Sequence, residues 1–454
     1  MKKLILSILL IFTVILSGCT LSLEPEEETT VGEIVVIPPR DSLDHIVPDE
    51  TEVSQLQSAW EDAQSEMLPE IPEEPEVIVI DRETTAATTE IVTEIPTETT
   101  TETTVETTRE TTRPIVTTKP REIVIDHKNA REILEEMTIE EKIGQVIFAR
   151  YPTAAEEQMK QCKFGGYTLY AQDFNGETPT TITSELFKVS LENKIMPFFA
   201  VDEEGGSITR VSRYLAFSET RLPTIQSALK NGTTVTDWVA QMVTVLESAG
   251  INLNFAPVAD VAGSKDDYIY NRTVSLDYKK TGEVVAEIVE EMNRQGMMGC
   301  LKHFPGYGSN VDTHTGIAVD TRSREDFEKK DFIPFRDGIE AGAPMVMVSH
   351  NIVEAYNDEV PASLAPEVHD VLRGMGFGGI IITDDLGMDA ITNYTDEPYV
   401  EAFLAGNDML CTSDGEATYK ALYAAVLDGR ITEERLDESV LRILNAKIEY
   451  GIIE

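Results

Sequence analysis

Cysteine is scarce in this chain. There are four in 454 residues, Cys19, Cys162, Cys300 and Cys411. The last three are odd in number and scattered, which excludes a disulfide framework, and no ligand spacing suits a metal. Basic residues are also few. Against 81 Asp and Glu stand 37 Lys and Arg, a formal net charge of −44. A nucleic-acid partner needs a basic face, so that class is excluded. There is no glycine-rich dinucleotide fingerprint and no phosphate loop, and no cofactor is expected. Long hydrophobic runs are missing too. The apolar stretch Leu4 to Leu16 is too short to span a bilayer core of about 30 Å.

What that stretch does have is the order of an export signal: Lys2 and Lys3, the apolar run, then small residues. Its ending, Leu16-Ser17-Gly18-Cys19, resembles the bacterial lipobox. The resemblance implies that residues 1–19 are a lipoprotein signal and that Cys19 is lipidated. Acyl chains gain about 0.8 kcal/mol per buried methylene, enough in combination to hold a protein on a membrane. The expected location is the bacterial cell surface, anchored to the membrane through Cys19.

Residues 20–125 are a Thr, Glu and Pro-rich stretch of low complexity. Residues 21–125 carry 26 acids and 6 bases. Such a segment buries too little apolar surface to offset ordering entropy, and self-repulsion extends it. It reads as a disordered tether. A weak repeat punctuates it: EIVVIPPRD, EVIVIDRE and EIVIDHKN begin at Glu33, Glu76 and Glu122.

From Asp126 to Glu454 short apolar runs alternate with amphipathic stretches. The strand candidates are GQVIFAR from Gly144, GGYTLYA from Gly165, MPFFAVD from Met196 and INLNFAP from Ile251. They continue with MMGCLKH from Met297, MVMVSH from Met345, GIIITDD from Gly379 and NDMLCTS from Asn407. Eight β units with interleaved helices predict an α/β chain, a single (β/α)8 TIM-type barrel over 126–454, closed by a helical hairpin.

In such a barrel catalytic residues lie where strands end. Here the third strand ends in Asp202-Glu203-Glu204, the fourth leads to Asp260, and the fifth ends in Lys302-His303. The sixth ends in Ser349-His350 and the seventh in Thr383-Asp384-Asp385. Carboxylates with His and Lys favour acid–base work and a carboxylate nucleophile, as in glycoside hydrolysis. The residue types also permit an aldolase or isomerase with Lys302 as Schiff base.

Longer motifs narrow the choice. KHFPGYGSNVDTH, from Lys302 to His314, and IIITDDLGM, from Ile380, resemble the signatures of glycoside hydrolase family 3 in its β-N-acetylglucosaminidase branch. VDEEGGSITR, NFAPVADV, NRTVS and PASLAPEV match further blocks in order, from Val201, Asn254, Asn271 and Pro361. The resemblance covers residues 127–454. It implies that Asp384 is the nucleophile, His314 the acid/base and Asp312 the residue that orients it. Asp202, Arg210, Arg272, Lys302 and His303 match sugar-binding positions. Asp385 is expected to be structural, because neighbours in extended chain point to opposite faces.

The implied activity is a retaining exo-β-N-acetylglucosaminidase acting on peptidoglycan fragments. A phosphorylase or β-glucosidase of the same fold, or a non-catalytic surface sugar-binding lipoprotein, are the alternatives. The chain departs from the motifs at Glu203, Ser207, Tyr307 and Gly387, where Gln, Arg, His and Ser are usual. The oligomeric state is not written in the sequence. A carbohydrate and the membrane are the expected partners.

Overall fold

The computed structural model describes residues 127–152, 154–310 and 316–453. Cys19, the export signal, the tether with its repeats, and the Asp312 and His314 pair lie outside them.

Eleven strands follow in chain order: β1 (Ile147–Arg150), β2 (Gly166–Thr168), β3 (Phe198–Val201), β4 (Leu253–Asn254), β5 (Met298–Phe304), β6 (Val319–Asp320), β7 (Met345–Val348), β8 (Ile352–Val353), β9 (Asn357–Pro361), β10 (Ile380–Thr383) and β11 (Leu410–Thr412). Eight pair in the order β10-β7-β5-β4-β3-β2-β1-β11, and every pairing in that sheet is parallel. They correspond to the eight predicted segments. The two ends of the order meet. Asp408 N–H donates to Ile381 O at 2.7 Å, and Thr383 N–H donates to Met409 O at 3.2 Å. The sheet thus closes into a (β/α)8 barrel.

Local sequence explains the elements. Strands such as FFAV, MVMV and IIIT are buried along their whole length, the pattern of parallel strands covered on both faces. The helices between them carry one apolar face. In Tyr278–Gln295, Val285, Ile288, Val289 and Met292 are buried. Asp277 caps that helix by accepting from Lys280 N–H at 2.8 Å. Gly296 ends it at φ 78°, a left-handed turn that suits glycine, and β5 begins two residues later.

The predicted terminal hairpin is formed by the helices Gly415–Leu427 and Glu433–Glu449. A small three-stranded sheet, β6-β8-β9, sits on the connections that follow β5 and β7. No helix among the described residues is long and apolar enough to cross a membrane.

Candidate active site

Because all eight barrel strands are parallel, their C-terminal ends share one face, and the polar residues gather there. β3 delivers Asp202 and Glu204 on one side of the extended chain and Glu203 on the other, as alternation requires. Lys302, at the end of β5, is 1% exposed. Its Nζ bridges Asp202 Oδ1 at 2.7 Å and Glu204 Oε1 at 2.6 Å. Arg272 holds Glu204 in a two-pronged pair, both contacts 2.8 Å. Arg210 reaches Asp202 Oδ2 at 3.2 Å. The Nε of Arg210 is buried without an acceptor among the described residues, so it has a donor to spare for a ligand. Buried charges persist only when paired, and these are.

His303 completes the cluster. Its Nδ1 lies 2.7 Å from Asp260 Oδ2, and its Nε2 lies 3.2 Å from Arg272 Nη2. Asp260 also accepts the backbone N–H of His303 at 3.0 Å and of Tyr307 at 2.7 Å. It therefore fixes the imidazole and the turn after it. The five sugar-binding candidates Asp202, Arg210, Arg272, Lys302 and His303 form one connected network.

Asp384 directly follows β10, its N–H donating to Val348 O at 3.0 Å. The Asp385 N–H donates to its Oδ1 at 2.9 Å. Burial opposes ionisation of Asp384, yet His303, His350, that N–H and Lys302 together bring its pKa below the ordinary value. A carboxylate kept ionised, whose one hydrogen bond among the described residues comes from the Asp385 N–H, is chemically suited to act as a nucleophile. Asp385 is committed elsewhere. Its carboxylate accepts from Gly387 N–H at 2.9 Å, Ser413 N–H at 3.0 Å and Ser413 Oγ at 2.5 Å. His350 underlies this turn: its Nε2 faces Asp385 O at 3.0 Å and its Nδ1 faces Ser363 Oγ at 2.8 Å. The carbonyl only accepts, so Nε2 carries the proton.

Burial opposes ionisation of Asp202 and Glu204 as well. The Lys302 and Arg210 charges bring Asp202 far below its ordinary value, and Arg272 and Lys302 bring Glu204 to about 2.

Two aromatic and basic residues were not singled out from sequence. Tyr170, beyond β2, lies under the guanidinium carbons of Arg150 at 4.6 Å and Arg210 at 5.7 Å. Arg150, the last residue of β1, also pairs with Asp173 at 2.8 Å. The signal available was their place at strand ends.

The unusual residues have local accounts. Glu203 is fully buried and accepts the backbone N–H groups of Arg210, Val211 and Ser212 and the Ser212 hydroxyl. It shapes the loop that returns Arg210 to Asp202. Gly387 leaves room for the Asp385 turn, since a Cβ there would stand 2.8 Å from Ser413 Oγ. Ser207 is exposed, and its carbonyl accepts from Arg221 at 2.9 Å. Tyr307 is buried beside His303, with ring centroids 5.7 Å apart.

No group of three or more His, Cys, Asp or Glu able to hold a metal is present among the described residues.

Comparison with known proteins bears on this geometry. The glycosyl hydrolase family 3 N terminal domain matches residues 138–446. A β-hexosaminidase of Stenotrophomonas maltophilia is 32% identical over 276 residues, covering 57% of this chain and 79% of its own. One from Xylella fastidiosa is 32% identical over 236 residues, 50% of this chain and 68% of its own. A solved family 3 β-N-acetylglucosaminidase from a Paenibacillus species superposes with a TM-score of 0.65 at 27% identity, over 70% of this chain and 63% of that one. With most of its barrel matched, the chain belongs to glycosyl hydrolase family 3 and is a hydrolase of O-glycosyl bonds.

Proposed function

We propose that the chain is a retaining exo-β-N-acetylglucosaminidase that removes terminal β-linked N-acetylglucosamine from peptidoglycan fragments. The observation that carries this reading is Asp384, ionised at the end of β10 among Lys302, His303 and His350. The names of the β-hexosaminidase relatives support the sugar preference.

In this mechanism Asp384 attacks the anomeric carbon, while His314, oriented by Asp312, protonates the departing oxygen. A glycosyl ester on Asp384 results. His314 then takes a proton from water, which attacks the same carbon and restores the free carboxylate. Two inversions give retention. Asp202 accepts from sugar hydroxyls. Arg210, Arg272 and Lys302 donate to them, the open Nε of Arg210 among the donors, while His303, whose Nε2 accepts from Arg272, positions that guanidinium against the sugar.

The test is hydrolysis of aryl β-glycosides by the full chain. Release from the N-acetylglucosaminide, unaffected by added phosphate and lost on the order of 10³-fold or more in Asp384→Ala, is the expected result. Preference for the glucoside would overturn the sugar assignment, and dependence on phosphate would make the protein a phosphorylase. The proposal also puts the enzyme at the bacterial cell surface. Incorporation of labelled fatty acid that disappears in Cys19→Ala is the corresponding check on the lipid anchor.

A further inference from the structure

The end of the barrel opposite the active site holds an open cavity of about 1180 Å³. The connections that lead into β5, β7 and β10 line it, together with the second half of the helix Glu433–Glu449. Ile339, Met375 and Leu441 form an apolar wall and are only partly buried. The wall is open where its glycines stand: a Cβ added at Gly296, Gly376 or Gly378 would meet nothing within 4 Å. Asn445, also in the lining, is 7% exposed, and its Oδ1 accepts from no donor among the described residues. A buried acceptor left unfilled is costly.

The charges around the cavity exclude an anion as its occupant. Arg294 and Arg442 are paired with Glu291 and Asp408, while Glu290, Glu340, Glu438 and Glu449 also stand in the lining. No surplus of positive charge is left to draw a phosphate or carboxylate. The surface suits an apolar peptide that brings backbone N–H groups.

The chain itself carries such a peptide beside the cavity. Arg131 lines the cavity and stands one turn into the helix His127–Glu136, about 6 Å from its start. Directly before that helix runs Glu122-Ile123-Val124-Ile125-Asp126, the third copy of the apolar repeat. Five residues of extended chain reach about 17 Å, enough to cross from the helix start into the cavity. We propose that Ile123, Val124 and Ile125 dock in this cavity against Ile339, Met375 and Leu441. Covalent attachment holds the segment at high local concentration, an advantage over any free ligand. The three β-branched side chains bury apolar surface there, and backbone N–H groups meet acceptors in the lining. The last stretch of the tether is then part of the catalytic domain, and the chain enters the barrel on the face opposite Asp384.

Amide hydrogen exchange of the full chain, read by peptide mass spectrometry, tests this. Residues 123–126 should exchange on the order of tenfold or more slowly than an unprotected peptide of the same sequence. Exchange at the unprotected rate overturns the proposal. Two variants attack the contact from its two sides. Ile123→Asp with Ile125→Asp puts charge on the segment, and Gly378→Trp fills the cavity from its wall. Each should release the protection of residues 123–126 while the barrel strands, followed in the same spectra, stay protected. Protection that survives both variants overturns the proposal. Protection that disappears on dilution assigns the contact to a second copy of the chain and overturns it too. Should a variant not fold, the exchange rate of the wild-type segment still decides.

Discussion

Adjacent carboxylates at one strand end have different work. Glu203 turns away from the site and organises backbone; Glu204 turns inward and neutralises Lys302 and Arg272. Period-two alternation separates them, as it separates Asp384 from Asp385. The latter distinction was readable from sequence. The former was equally written in the Asp-Glu-Glu run, but only the position of Lys302 in space reveals which acid meets a cation. Glu204→Ala would leave two buried cations short of a partner and should cost about 3–5 kcal/mol of stability, measured by denaturant unfolding. A pH series adds a sign. The Glu204 pKa falls from 4.5 to about 2 because its cationic partners outweigh the cost of burial. The stability it supplies is full above pH 4.5 and is lost as pH falls toward 2. Glu204→Ala should flatten that acid limb, and an unchanged limb would contradict the assignment.

At the scale of elements, the closing seam between β10 and β11 depends on a residue that sequence gave no reason to choose. Asp408 is fully buried and accepts from Arg373 at 2.6 Å, Arg442 at 2.9 Å, Ser439 at 2.8 Å and Ile381 N–H at 2.9 Å. Its partners come from three distant parts of the chain, so no local pattern marks it. Asp408→Ala should lower stability by about 3–5 kcal/mol, because Arg373 loses its carboxylate partner and Arg442 keeps only Glu438, at 3.8 Å. Calorimetry would show this as a lower Tm; an unaltered Tm would mean that the seam does not need the network. The eight barrel strands were readable because each is a short apolar run beside a glycine or charge. The β6-β8-β9 sheet was not. Two of its strands have two residues, and NDEVP in β9 is largely polar.

For the whole molecule, buried charge is held at both ends of the barrel. At the end where strands begin, Lys447 is fully buried with its Nζ 2.8 Å from Gln145 Oε1, 3.0 Å from Gly165 O and 4.8 Å from the centre of the Phe198 ring. Burial holds its pKa well below the ordinary lysine value. The unfolded chain binds that proton more readily, so unfolding free energy should rise with pH until the ordinary lysine range is reached. Lys447→Met should remove this slope in unfolding measured between about pH 7 and 10, and a slope that persists would place its origin elsewhere.

At the other end, everything turns on Asp384. The most direct measurement is to expose the full chain to a slow fluorinated N-acetylglucosaminide and map the adduct by peptide mass spectrometry. One glycosyl group, in ester linkage, on Asp384 is the expected result. Turnover of the reagent with no adduct, or an adduct on Asp385 or another carboxylate, would contradict it.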